Sequence, residues 1–335
     1  MPRLNNPEEK RGGILSGLGG LLMRQSETSS VGALLILWIV FSIGNSSFNT
    51  PYNIFNVLRT SSENYIIAMA QAFVIIVGGM NLSIGGIGGL SAILAGFCMD
   101  VAGLPPVVAV LGGCAVGVGC GFLNGTLITK LHINSFIVTL ATSFIFTGLV
   151  KGLTGGFPFG NIPASFSWIA RTDIGGIIPI IFAIMVMSIV FFWFFFKYSV
   201  LGRELLATGG SLEAAKMSGI NTNRIIMQAN MLSGLMAGLA GLFTVARMTA
   251  ASPLNGDDWM ITSFAVAVIG GTVLSGGKIT MIGILASSIL ITIIKNGLVM
   301  LHVNVYYLNS FLGAIIIAAV ILEVVREKYN ERYKN

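Results

Sequence analysis

From residue 31 onward the chain is a succession of long apolar runs separated by a few polar positions. The runs are continuous rather than alternating, and several approach the roughly 20 residues that a helix needs to cross a bilayer. Closed helices are therefore expected, not a barrel. Ten spans are predicted: at about 31–48, 62–77, a third ending near Asp100, then 105–127, 134–153, 177–196, 225–245, 259–273, 280–298 and 305–324. A turn at Asn49, Thr50 and Pro51, with a short amphipathic piece ending at Arg59, separates the first two.

One long polar interruption breaks the series, VLGRELLATGGSLEAAKMSGINTNR at 200–224, and it cannot lie in lipid. Its centre predicts a short helix. Ser211 is placed as N-cap, Glu213 lies in the first turn where a carboxylate suits the dipole, Lys216 comes later, and Gly219 is the stop. On these grounds alone the stretch reads equally as a connection or as a helix that docks a partner protein.

The fourth span carries Gly113, Gly117, Gly121 and Gly125 at four-residue spacing, and the seventh repeats the device with Gly234 and Gly238. Such stripes predict close helix packing, because lipid offers helices no hydrophobic drive to associate. The loop at 154–175 holds Phe157, Phe159, Phe166, Trp168 and Arg171, and is expected at the membrane interface or against a partner.

Composition agrees with this pattern. Only 10% of residues are charged, against about 25% in a soluble domain, and mean hydropathy is +0.86. The expectation is an all-α, polytopic membrane protein: a cytoplasmic segment 1–30 with an interfacial helix, one transmembrane domain 31–325 and a cytoplasmic tail 326–335. With the N-terminus inside, 14 Lys and Arg fall on the inner side, against Arg59, Lys151, Arg171, Arg247 and Lys295, 5 in all, outside. That asymmetry predicts both termini and 200–224 to be cytoplasmic.

Catalytic chemistry finds no carrier in the sequence. GGTVLSGGKIT resembles a phosphate loop, but that motif needs Gly in place of Thr272 and Ser or Thr in place of Ile279. Cys98, Cys114 and Cys120 have no metal-ligand spacing and read as small hydrophobes. Glu63, Asp100, Lys151, Lys295 and Glu323 sit near predicted span ends, where snorkelling accounts for them. No enzyme activity, metal site or nucleic-acid partner is expected.

Two glycine clusters resemble one another. Gly78, Gly79, Leu82, Ser83 and Gly85 match Gly270, Gly271, Leu274, Ser275 and Gly277 at a displacement of 192. Loosened backbone at membrane depth is tolerated only in protein or along a watery path, so Gly78, Gly79, Asn81, Ser83 and Ser275 are candidate pathway residues. The bland reading is a span end followed by a tight turn. At 78–89 function is favoured, because Asn81 and Ser83 are polar among glycines with nothing polar nearby to satisfy them.

Four blocks together resemble the permease subunit of ABC importers for monosaccharides and related small polyols, the group that includes ribose, xylose, galactose and autoinducer-furanone systems. They are VGGMNLSIGGIGGLSAILAG at 77–96, FIVTLATSFIFTGLVKGLTGG at 136–156, ATGGSLEAAKMSGINTNRI with LSGLMAGLAGL within 207–242, and AVAVIGGTVLSGGK at 265–278. The resemblance implies about ten helices, a second permease subunit, identical or not, two ATPase subunits and an extracytoplasmic binding protein. The setting it implies is a bacterial inner membrane. It assigns Gly209, Gly210, Glu213, Ala214, Ala215, Lys216 and Gly219 to a coupling helix seated on the ATPase. It leaves this chain without a cofactor, ATP and magnesium being held by the partner. Where the family commonly has Asp this chain has Asn81, and the family's acidic residues are missing from Trp259, Met260, Ile261 and Thr262. The alternatives are a gradient-driven carrier, or a permease of the same fold for branched-chain amino acids or nucleosides.

Overall fold

The structure is a computed structural model that describes residues 26–176 and 178–304, with scattered positions from 307 to 321. The expected N-terminal interfacial helix and C-terminal tail, and most of the tenth span, lie outside the described residues.

Helix α1 (Ser26–Gly44) leads through a short 3-10 turn (Ser46–Asn49) into α2 (Pro51–Ile75). Here the sequence expectation needs correction. The amphipathic piece and the second span are one 25-residue helix, with Pro51 in its first turn where a missing N–H costs nothing. The polar run at Arg59, Thr60, Ser61 and Ser62 does not break it, because the serine hydroxyls donate to the Leu58 carbonyl at 3.0 and 2.7 Å while the Arg59 guanidinium pairs with Asp173. Every residue from Ser61 to Ile76 is buried. A helix covered on all sides is the core of the molecule.

Around it stand α3 (Ile84–Asp100), α4 (Pro106–Lys130), α5 (Ser135–Thr154), α7 (Ile180–Tyr198), α10 (Thr222–Met248), α11 (Trp259–Ile269) and α12 (Met281–Met300). Between α5 and α7 the aromatic loop folds into α6 (Ala164–Arg171) and a two-stranded hairpin, β1 (Asp173–Ile174) with β2 (Ile178–Pro179). Phe166 is buried, Trp168 and Phe157 are exposed, and Phe159 exchanges backbone hydrogen bonds with Ala251 at 3.0 and 2.9 Å. Helices α8 (Val200–Gly210) and α9 (Leu212–Met217) fill the polar interruption. Among the described helices, α4, α5, α7, α10 and α12 are each long and apolar enough to cross a membrane.

Helices α4 and α10 run antiparallel with their backbones in contact. A Cβ on Gly117 would meet the Gly234 carbonyl, one on Gly121 the Asn230 carbonyl, and one on Gly125 would stand 2.9 Å from the Met227 Cα. Gly113 receives the Leu242 side chain, and Gly238 faces the Gly113 carbonyl at 3.1 Å. Steric access is what these small residues supply.

The eighth expected span is also corrected. Helix α11 has 11 residues, about 16 Å at 1.5 Å per residue, roughly half a bilayer core. The chain leaves α10 through Thr249 (φ 55), folds back inward, and seats Gly256 (φ 99) against Gly85 before α11 begins. Hydropathy alone could not show a helix that starts inside the bundle.

Candidate functional site

Both glycine clusters end a helix in the same way. After α2 the Gly78 amide donates to Ile75 at 2.8 Å and the Gly79 amide to Val74 at 3.0 Å, with Gly78 at φ 76. After α11 the Gly271 amide donates to Val268 at 2.9 Å and the Thr272 amide to Ala267 at 3.0 Å, with Gly271 at φ 82. Each is a helix stop whose left-handed residue tolerates only glycine at low strain. Gly78 therefore corresponds to Gly271, one position off the displacement read from the letters.

The two stops meet the end of α8. Gly277 donates its amide to the Ile76 carbonyl at 2.9 Å, and Gly209 packs so tightly between Ile76 and Gly277 that a Cβ would overlap the Ile76 carbonyl. Gly276 closes the junction against Gly78 and Gly209. Four of the sequence candidates, Gly78, Gly79, Gly209 and Gly210, are thus brought to one place. Ser275 is exposed beside it.

From this junction α9 projects outward. The Ser211 hydroxyl accepts from the Ala214 amide at 3.2 Å, Glu213 occupies the first turn, and Gly219 (φ 84) ends the helix. Only Ala215 is buried; Glu213, Ala214, Lys216 and Gly219 are exposed, and Met217 is 90% exposed. Among the described residues nothing covers the outer face of α9, and Ala215 alone holds it to the bundle.

Asn81 and Ser83 lie elsewhere, at the level of the middle of α10. The Asn81 amide donates to the Ser233 hydroxyl at 2.9 Å, the Ser83 amide and hydroxyl donate to Asn81 Oδ1 at 2.9 and 2.7 Å, and the Asn124 amide donates to the Ser83 hydroxyl at 2.8 Å. All four residues are 0% exposed. The expectation that nothing polar satisfies Asn81 and Ser83 is therefore corrected: the partners come from α4 and α10, and each stands next to a stripe glycine, Gly125 or Gly234. Those polar residues inside the stripes were the overlooked signal.

The far end of the bundle is held by ion pairs that the snorkelling expectation missed. Arg247 pairs with Glu63 at 2.9 Å, and Glu63 also accepts from the Thr244 hydroxyl at 2.6 Å. Lys295 pairs with Asp258 at 2.9 Å and donates to the Thr262 hydroxyl at 3.0 Å. Asp258 thus supplies a carboxylate beside a segment that lacks its own. Asp100 accepts from the Asn161 side chain at 2.7 Å. Among the described residues no cluster of His, Cys, Asp and Glu could hold a metal ion.

Between the Gly85–Gly256 contact and α5 lies a cleft of about 220 Å³. Its walls belong to α3, α5 and the start of α11.

Comparison with known proteins places this arrangement. Residues 53–320 match the family described as branched-chain amino acid transport system / permease component. The chain is 37% identical to the ribose import permease protein of Bacillus subtilis (strain 168), over 94% of this chain and 96% of that one. It is 36% identical to the D-allose transport system permease protein of Escherichia coli (strain K12), over 86% and 88% of the two chains. With the galactose/methyl galactoside import permease protein of the same strain the identity is 30%, over 88% and 92%. No solved structure matches the chain.

Proposed function

The chain belongs to this family of transport-system permease components, multi-pass membrane proteins of ATP-driven importers, and on that premise we propose that it passes a monosaccharide inward by alternating access. The carrying observation is the near full-length similarity to permeases named for ribose, allose and galactose. An importer permease implies an ATPase and a binding protein as partners. The further reading is that a second permease subunit completes the path, that ATP and magnesium are held by the ATPase, and that both termini and α9 face the cytoplasm, in keeping with the Lys and Arg asymmetry.

In this reading α9 is the coupling helix. Glu213, Ala214, Lys216 and Gly219 offer its outer face, Ala215 anchors it, and Gly209 and Gly210 join it to the rest. What supports the role is the glycine junction: a push on α9 reaches, through Gly209, the ends of both α2 and α11. Gly78, Gly79 and Ser275 are then the movable backbone at the inner end of the path, and Asn81 and Ser83 the polar lock above it. A change between two discrete packings at such a joint is how a domain closure becomes alternating access.

The test is a tagged purification from native membranes in mild detergent. An ATPase subunit that co-purifies at one copy per permease, and is lost with Glu213→Lys, supports the reading. A chain that purifies alone and moves solute without ATP would be a gradient-driven carrier instead.

A further inference from the structure

We propose that the cleft between α3, α5 and the start of α11 is a transit binding site for the sugar, gripped by Ser143, Thr147, Asn255 and Asp257; this rests on the importer reading above. The position is central. Gly88, one turn into α3, packs on the Ala237 carbonyl near the middle of the 27-residue α10. A site at half depth between discontinuous elements is where an alternating-access protein can expose one ligand to either side.

Several polar groups border the cleft. Asn255 lines it, and its side-chain nitrogen, itself shielded from solvent, has no hydrogen-bond partner among the described residues. Ser143 and Thr147 line the same cleft and make no side-chain hydrogen bond among the described residues. The first turns of α3 and α11 also open on it, at Gly86 and Met260, and neither helix has a side-chain cap: Ser83 is committed to Asn81, and Asp258 to Lys295. The leading Trp259 amide of α11 is already taken by the Gly256 carbonyl at 3.1 Å, so the side chains of the cleft, not helix amides, are the groups offered to a ligand. Asp257, at the rim, is the charged acceptor.

This donor and acceptor mixture selects a class of ligand. Hydroxyl groups both donate and accept, so a polyol can answer an amide, two hydroxyls and a carboxylate together. Among the described residues no Lys or Arg lines the cleft, which leaves an anion without a counter-ion there. Its volume of about 220 Å³ corresponds to roughly seven waters, room for one sugar ring and not two. The grip is loose, as conduction requires, and affinity is left to the binding protein.

The experiment measures D-ribose moved per ATP hydrolysed by the complete importer in proteoliposomes, with its binding protein present. Asn255→Leu and Asp257→Asn should each lower that ratio by about fivefold, the worth of one hydrogen bond, and the double variant Ser143→Ala/Thr147→Val by about 25-fold, the worth of two. ATP hydrolysis itself should stay within about twofold, because the junction at α9 is untouched. Asp257 is exposed, so its variant reports even where Asn255→Leu fails to fold. An unchanged ratio in Asp257→Asn together with the double variant overturns the site while leaving the importer reading standing. Wild-type protein that moves leucine and not ribose overturns the sugar reading, and the ligand class proposed here with it.

Discussion

Gly277 donates its amide to the carbonyl of Ile76 at 2.9 Å, which ties the loop after α11 to the last turn of α2 directly beside Gly209. Helix ends far apart in sequence are thereby held at one point, and α8 enters that point as a backbone wedge. Motion at α9 has a short mechanical route to the core helix.

A methyl group should jam this joint. Gly209→Ala places a Cβ into the Ile76 carbonyl, an overpacking that costs about 1–3 kcal/mol where backbone must move. Uptake by Gly209→Ala is expected to fall by about fivefold or more, since a cost of about 1 kcal/mol already corresponds to that factor. The neighbouring Gly210→Ala faces open space and should transport normally. Uptake assays on membranes matched for protein level compare the two.

Charge on α9 should govern docking without governing folding. Glu213 is exposed and makes no ion pair among the described residues, so Glu213→Lys leaves the bundle intact. Its cost at the helix N-terminus is about 0.3–1 kcal/mol. Loss of the co-purifying ATPase with an unchanged melting temperature is the expected outcome.

The Glu63–Arg247 pair is expected to matter for stability. Glu63 is 6% exposed while the Arg247 side chain keeps 23% of its surface, so removing Arg247 leaves the carboxylate buried without its counter-ion, at a cost of about 3 kcal/mol. Arg247→Met should therefore lower the melting temperature in detergent more than the double variant Glu63→Met/Arg247→Met. A double variant less stable than the single one would show that packing, and not charge, dominates there.

Within α4, substitutions two positions apart should part company. Gly117→Ala meets the Gly234 carbonyl, whereas Gly119→Ala meets no atom within 4 Å. The first should destabilise by about 1–3 kcal/mol; the second should be neutral, or gain up to about 1 kcal/mol from helix propensity. Thermal melts of the two variants decide.

What the sequence made legible was local. The caps of α9 at Ser211 and Gly219 follow from short-range backbone chemistry, and the α4 stripe from helical period. The similarity of the two glycine clusters pointed to repeated helix stops, but conformation, not letters, aligns Gly78 with Gly271. Relations between distant segments stayed hidden. Nothing near Glu63 announces Arg247, and nothing in the apolar run after Trp259 announces that α11 starts inside the bundle. That start depends on Gly256 meeting Gly85, a contact set by tertiary packing. Asn124 and Ser233 looked like minor polar residues in glycine stripes until the fold brought them to Asn81 and Ser83.

The most direct measurement is D-ribose uptake by proteoliposomes that hold the purified permease with its ATPase and binding protein, with ATP or a non-hydrolysable analogue supplied to the ATPase side. Uptake with ATP, none with the analogue, and none by the permease alone is the predicted result. Ribose entry by the permease alone, equal with and without ATP, would contradict an ATP-driven importer.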